Sequence, residues 1–187
     1  MYQNPWMYGS YFHYPSYIHT PMYQYGGQLN YENAYNYWNS PRQTMAERPF
    51  RVTDHGTNPS VINIHEASVQ NKTYRTALWT GKHLQVTLMS LNPGEDIGLE
   101  MHATVDQFLR IEQGQGIVQM GNTRERLNFV RNVHADDAIM VPAGTWHNLT
   151  NTGNGPLKLY SIYAPPQHPF GTVHSTKMDA IRAERPH

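Results

Sequence analysis

Glu100 and His102 stand two residues apart in the stretch Gly94-Glu95-Asp96-Ile97-Gly98-Leu99-Glu100-Met101-His102. On an extended segment that spacing sends both side chains to one face and Leu99 and Met101 to the other. One face is therefore built for something other than packing. Further along, Val141-Pro142-Ala143-Gly144-Thr145-Trp146-His147 reads as a turn that delivers a histidine to the start of a strand. Carboxylates and imidazoles are the side chains that move protons or bind cations. The chain has 11 histidines, so company decides which of them matter. His13 and His19 fall in a tyrosine-rich N-terminal segment, His55 in a linker and His187 at the terminus, and these read as solvated. His65, His83 and His134 fall at strand edges or in a charged loop and read as surface residues. His102 and His147 are set apart by their neighbours.

The elements that must position them are short. Apolar runs at 61–64, 74–79, 84–91, 98–102, 107–112, 116–120, 138–141, 147–151 and 157–163 have the length of strands rather than helices. Leu84, Val86 and Leu88 alternate with Gln85 and Thr87, the pattern of a strand with one buried face. Turn residues fill the gaps: Asn92-Pro93-Gly94, Gln113-Gly114, Gly121-Asn122, Pro142-Ala143-Gly144 and Asn154-Gly155-Pro156. Many short strands at this spacing predict a sandwich or barrel. A helix is expected near 176–185, where Thr176 and Asp179 make a start like a capping box and Met178 and Ile181 supply a short apolar face.

With 187 residues the chain has room for one domain and an appendage. Lys plus Arg and Asp plus Glu are 14 each, a net charge of zero, which leaves no electrostatic footprint for nucleic acid and none for an anionic membrane surface. There is no cysteine, so disulfides, thiolate catalysis and cysteine-based metal sites are excluded. No apolar run approaches the roughly 20 residues that span a bilayer, and no basic region followed by an apolar one marks a secretory signal. Ten of the 13 tyrosines lie in residues 1–41, with Pro and Gly interrupting them and little Leu, Val or Ile. Such aromatic-polar composition predicts a disordered tail inclined to weak multivalent contact. Residues 42–60 read as a linker.

The two histidine-bearing stretches resemble the paired motifs of the cupin superfamily, written G-x5-H-x-H-x3/4-E-x6-G and G-x5-P-x-G-x2-H-x3-N. Gly94 opens the first, Glu100 takes the first histidine position, His102 the second, Gln107 the glutamate position and Gly114 closes it. In the second, Asp136 replaces the initial glycine, while Pro142, Gly144, His147 and Asn151 match. The resemblance covers about 61–165, says nothing about the tail, and implies an all-β fold, an antiparallel jelly-roll β-barrel; joined to the local readings, this gives a barrel with a C-terminal strap over 61–174 and a short helix over 175–187, behind the tail. It also implies a metal site formed by Glu100, His102, Gln107 and His147, with Gln107 either a neutral, weaker oxygen ligand or a group that hydrogen-bonds a bound water. The carboxylate has moved from the fourth position to the first, so the site keeps one negative charge. Two histidines and one carboxylate also match the facial triad of non-haem iron. Asp106 competes with Gln107 for the fourth place, but its parity puts it on the opposite strand face. Mn, Fe, Ni, Co and Zn all suit such ligands.

Segments 71–91, 98–116 and 142–177 look like small bacterial single-domain cupins of the mannose-6-phosphate-isomerase-like group. A phosphosugar isomerase needs cations aimed at phosphate, and the sequence marks none. The expected function is a metal-binding cupin that binds or acts on a small polar molecule, a sugar or a hydroxy or keto compound. If it is an enzyme, it would be a metal-dependent isomerase or of dioxygenase type, the ion polarising substrate oxygens or binding dioxygen. Glu100 and His174 are the candidate acid or base groups, with His168 in the same proline-rich strap. Leu109, Ile111, Trp146 and Asn151 are the expected pocket residues. The strap either crosses the barrel mouth or packs outside the sheet. The partners expected are a small-molecule ligand and a second copy in a homodimer, with no nucleic acid and no membrane insertion. The second functional reading is a structural or sugar-binding cupin, made in the cytoplasm and attached through its tail to a spore coat or surface layer.

Overall fold

β-Branched and aromatic residues in period-2 runs, punctuated by Gly, Pro and Asn, leave this chain little choice but short antiparallel strands. The structure, a computed structural model, describes residues 52–183. The tyrosine-rich segment 1–41, most of the linker and the last four residues lie outside the described residues. In chain order the elements are α1 (Ile64–Gln70), β1 (Arg75–Thr80), β2 (Gln85–Leu91), β3 (Asp106–Gln113), β4 (Gln115–Gly121), β5 (Phe129–His134), β6 (Ala138–Val141), β7 (Trp146–Asn151), β8 (Leu157–Ala164), β9 (Val173–His174) and α2 (Lys177–Ala183). A six-stranded sheet runs β6-β3-β8-β2-β1-β9 and a three-stranded sheet runs β5-β4-β7. All pairings within the two sheets are antiparallel. Their facing sides share an apolar core that includes Met89, Leu91, Leu109, Ile111, Val118, Leu149, Leu157 and Leu159. The expected jelly-roll is the observed fold.

Register arranges the barrel interior in layers. Gln85, Tyr163 and Gln107 stand side by side across β2, β8 and β3; the next inward rung is Thr87, Ser161 and Leu109, and the one after it Met89, Leu159 and Ile111. Cross-strand neighbours point to one face, so the interior is polar at one end and apolar at the other. That arrangement corrects the reading of β2. Gln85 and Thr87 are completely buried inside the barrel, while Leu88, with Val86, packs on the outer face against Ala67 of α1 and Leu78.

Residues 61–64, expected as a strand, instead lead into α1. Asn63 caps that helix, its side chain accepting from the Glu66 N–H at 3.1 Å, and the buried Ala67 and Ser68 face the sheet. Residues 98–102 are not a full strand either. The stretch 96–100 lies along β7 through isolated bridges, Asp96 with Thr150 and Glu100 with His147. β5 and β9 had no sequence signal: β5 is an edge strand in which only Val133 is buried, so its side chains follow no alternation. The C-terminal helix begins as expected, with the Asp179 N–H donating to Thr176 Oγ1 at 3.2 Å and the Thr176 N–H donating to Asp179 Oδ2 at 2.9 Å. Its buried face is carried by Ala180, whereas Met178 and Ile181 are exposed. Within the linker, residues 52–60 are stitched to β1: the His55 N–H donates to the Leu78 carbonyl at 2.9 Å and Trp79 Nε1 donates to the Asn58 carbonyl at 2.9 Å.

Candidate metal centre

The bridge between Glu100 and His147 is a two-hydrogen-bond pair. The Glu100 N–H donates to the His147 carbonyl at 3.1 Å and the His147 N–H returns to the Glu100 carbonyl at 2.9 Å. Residues so paired project to the same face, which brings a carboxylate and an imidazole together from positions far apart in sequence. His102 joins them because it lies two residues beyond Glu100, and its carbonyl is pinned by the Gly144 N–H at 2.8 Å. Glu100 Oε1 sits 3.4 Å from His102 Nε2 and 3.4 Å from His147 Nε2. One ligand atom from each of these three residues falls within 4.8 Å of the other two.

The protonation pattern of His147 follows from its backbone contact. His147 Nδ1 lies 2.9 Å from the Thr145 carbonyl, which can only accept, so Nδ1 carries the proton. In the neutral ring Nε2 then presents a lone pair to the cluster, the orientation a metal-binding histidine needs. Gln107 is 3% exposed and donates from Nε2 to Ser161 Oγ at 3.0 Å, which leaves its carbonyl oxygen to face elsewhere. Each of the four residues then shows the same feature. Glu100 Oε1, His102 Nε2, Gln107 Oε1 and His147 Nε2 are all buried without a hydrogen-bond partner. Buried polar atoms are ordinarily satisfied, and the three clustered atoms of Glu100, His102 and His147 are of a type that fits a divalent cation. Burial opposes the charge of Glu100, yet the His102 and His147 side chains and the Arg75 guanidinium outweigh it and hold the carboxyl down at about 2. The carboxylate is therefore ionised, as binding a cation requires.

A cavity of about 570 Å³ opens beside Glu100 and His102. Trp146, Arg124 and Met101 contribute to its wall, and so do His168, Pro169 and His174 of the strap. The strap therefore runs against the site rather than over the outside of the sheet. Gln85, wholly buried, holds it there: its Oε1 accepts from the His168 N–H at 2.9 Å and the Gln167 N–H at 3.3 Å, and its Nε2 donates to the His168 carbonyl at 2.8 Å. Asp54 adds a second clasp, accepting from the Gly171 N–H at 2.9 Å and from Thr80 Oγ1 at 2.6 Å. The His168 ring stands edge-on to Tyr163, centroids 5.1 Å apart, and Tyr163 in turn meets His102 at 5.7 Å. Burial, joined by the positive charge of Arg75, pushes His168 down to about 3, and burial pushes the Tyr163 phenol up to about 12. Both side chains are neutral across the physiological range.

The four expected pocket residues divide. Trp146 lines the cavity. Leu109 and Ile111 share the strand face of Gln107, but they lie one and two rungs deeper, 1% and 0% exposed in the apolar core. Asn151 is a structural residue: its Nδ2 donates to the Leu91 and Gly155 carbonyls, each at 2.9 Å, and its Oδ1 accepts from the Gly153 N–H at 2.9 Å. Asp106 points away from the cluster, accepting from the Ala143 N–H at 2.9 Å. Gln85 and Arg124 carried no sequence signal, because neither belongs to a motif and a polar residue in a period-2 run reads as solvent-facing.

Residues 87–163 match a family described as the cupin domain. The chain is similar to the uncharacterized protein YrkC of Bacillus subtilis strain 168, with 67% identity over 143 residues that make up 76% of this chain and 77% of that protein. It is also similar to the uncharacterized protein L612 of Acanthamoeba polyphaga mimivirus, 40% identical over 114 residues, 60% of this chain and 69% of that protein. Among solved structures, that of BH2720 from Bacillus halodurans superposes with a TM-score of 0.70 at 62% identity, covering 70% of this chain and 99% of that one. No helix among the described residues is long and apolar enough to cross a membrane.

Proposed function

This chain belongs to the cupin superfamily, and on that premise we propose that it is a metal-binding cupin that takes up a small polar molecule in the cavity beside its metal centre. Glu100, His102 and His147 hold one divalent transition ion, and Gln107 contributes its carbonyl oxygen as the weaker fourth ligand. The observation that supports this is the coincidence of four buried, unpartnered ligating atoms on the four motif positions. A divalent ion bound there acts as a Lewis acid toward ligand oxygens. The chain's own residues do the rest. The ring of His147 is fixed by Thr145, the strap narrows access to the cluster, and His174 stands in the cavity wall as the group for proton transfer. The ligand is a hydroxy or keto compound or a sugar. Phosphosugar isomerisation is not part of the proposal, since Arg124 is the one cation among the described residues lining the cavity.

The test is calorimetric titration of chelator-stripped protein with Mn²⁺, Fe²⁺, Co²⁺, Ni²⁺ and Zn²⁺. About one ion per chain is expected for the wild type, with uptake abolished in a Glu100→Ala/His102→Ala/His147→Ala variant. Equal uptake by both proteins, or none by the wild type, would contradict it.

A further inference from the structure

The cluster and its cavity carry charges that do not balance. One divalent ion on Glu100 leaves the centre at +1, because Gln107 and the two imidazoles are neutral ligands. His168, in the wall, is neutral as well. Among the described residues that line the cavity, Glu100 is the only carboxylate and Arg124 adds a further positive charge. A partly desolvated, positive cavity is satisfied by an anion.

Arg124 is placed for that task by the turn that follows β4. The Arg126 N–H donates to the Thr123 carbonyl at 3.2 Å and tightens the turn around Arg124, while the pairing of Gly121 with Trp146 sets the turn beside the cavity. The guanidinium lies over the Trp146 ring, 5.6 Å from its centroid. A guanidinium held beside an indole ring can still offer its N–H fork to a planar oxyanion. Two other arginines of the barrel are engaged: Arg110 pairs with Asp136 at 2.6 Å, and Arg131 donates to the Val130 carbonyl at 2.7 Å. Arg124 makes neither an ion pair nor a hydrogen bond among the described residues.

We infer that the cavity takes a small organic acid, with a carboxylate directed to the metal-bearing cluster and Arg124 as the residue that selects for negative charge. The inference rests on the metal-binding reading above and narrows its ligand to a carboxylate-bearing compound. A carboxylate accepts two parallel N–H bonds from a guanidinium, which neither a hydroxyl nor a neutral carbonyl can match. Arg124 is thus a specificity-determining residue, exposed on a turn and outside the metal ligands.

The experiment uses full-length protein loaded with Co²⁺, titrated with acetate, glycolate, pyruvate and succinate, with glycerol and mannose as neutral controls, and followed by visible absorption. At least one carboxylate should shift the Co²⁺ spectrum at concentrations where the neutral compounds do not. Arg124→Gln should weaken that binding by roughly tenfold, the value of one charge-assisted contact, and Arg124→Lys by less, with Co²⁺ affinity unchanged in both. Protein that takes up Co²⁺ but binds none of the four acids keeps the metal-binding reading and overturns this inference. So does an Arg124→Gln protein whose affinities equal those of the wild type, or one in which glycerol or mannose binds as well as the acids. Failure to take up Co²⁺ or any other of the five divalent ions overturns the metal-binding reading itself, and this inference with it.

Discussion

His168 carries its ring into the cavity wall because Gln85 grips the backbone on both sides of it, and the resulting burial has a measurable cost in acid. Its ordinary value is 6.5 and the folded protein holds it near 3. The unfolded chain therefore takes up a proton that the folded protein refuses. Stability is intact above about pH 6.5 and falls progressively toward pH 3, by as much as a few kcal/mol for this one group. His168→Phe keeps an aromatic edge against Tyr163 and removes the titration. Its urea midpoint should fall less steeply than that of the wild type between pH 6.5 and 3, whereas parallel curves would show that His168 does not titrate in this way. Residue types and spacing made Glu100, His102 and His147 legible before any coordinates, since parity on a strand and a turn ahead of a histidine are local facts. Gln85 and Arg124 were not legible, because their importance comes from what the fold carries to them: a strap more than 80 residues later for the first, an indole ring across the β4–β7 pairing for the second.

At the scale of elements, the turn between β5 and β6 holds the clearest departure from the superfamily motif. Asp136 stands where the motif has glycine, and it is the one non-glycine among the described residues with a positive φ, 74°. The left-handed conformation that glycine supplies freely is kept here by a residue whose short polar side chain tolerates it better than most. The Asp136 N–H is fixed to the Ile111 carbonyl at 2.8 Å, so the backbone has no freedom to relax. Asp136→Val should therefore cost about 1–2 kcal/mol from the backbone alone, and Asp136→Gly should not destabilise the fold, with metal content unaffected by either. Thermal melting of the pair decides this, and a valine variant as stable as the glycine one would contradict it. The sequence also held a helix signal that the apolar run at 61–64 concealed. Asn63 followed by Glu66 is a cap, and the three apolar residues around it, Val61, Ile62 and Ile64, were equally compatible with a strand. β5 had no signal to conceal, for an edge strand exposed along nearly its whole length shows no alternation.

Across the whole molecule, period-2 patterning located most of the strands and the motif spacing named the barrel, but neither stated which face of each strand turned inward. Gln85 and Thr87 show why. Alternation fixes parity, and only the packing of α1 against Leu88 and Leu78 decides that the polar residues of β2 go inside. Once they do, register with Tyr163 and Ser161 stacks a polar layer at one end of the barrel and an apolar core below it. That layering puts Gln107 in the polar layer and Leu109 and Ile111 in the core, although all three share one strand face. A barrel arranged in this way leaves Glu100 Oε1, His102 Nε2, Gln107 Oε1 and His147 Nε2 buried without hydrogen-bond partners, and we propose that one divalent cation satisfies them. The most direct test of that proposal is elemental analysis of protein purified without an affinity tag, beside the Glu100→Ala/His102→Ala/His147→Ala variant. Near-stoichiometric Mn, Fe, Ni, Co or Zn is expected in the wild type and none in the variant. A wild type free of metal as purified, and unable to acquire any of these ions afterwards, would contradict it.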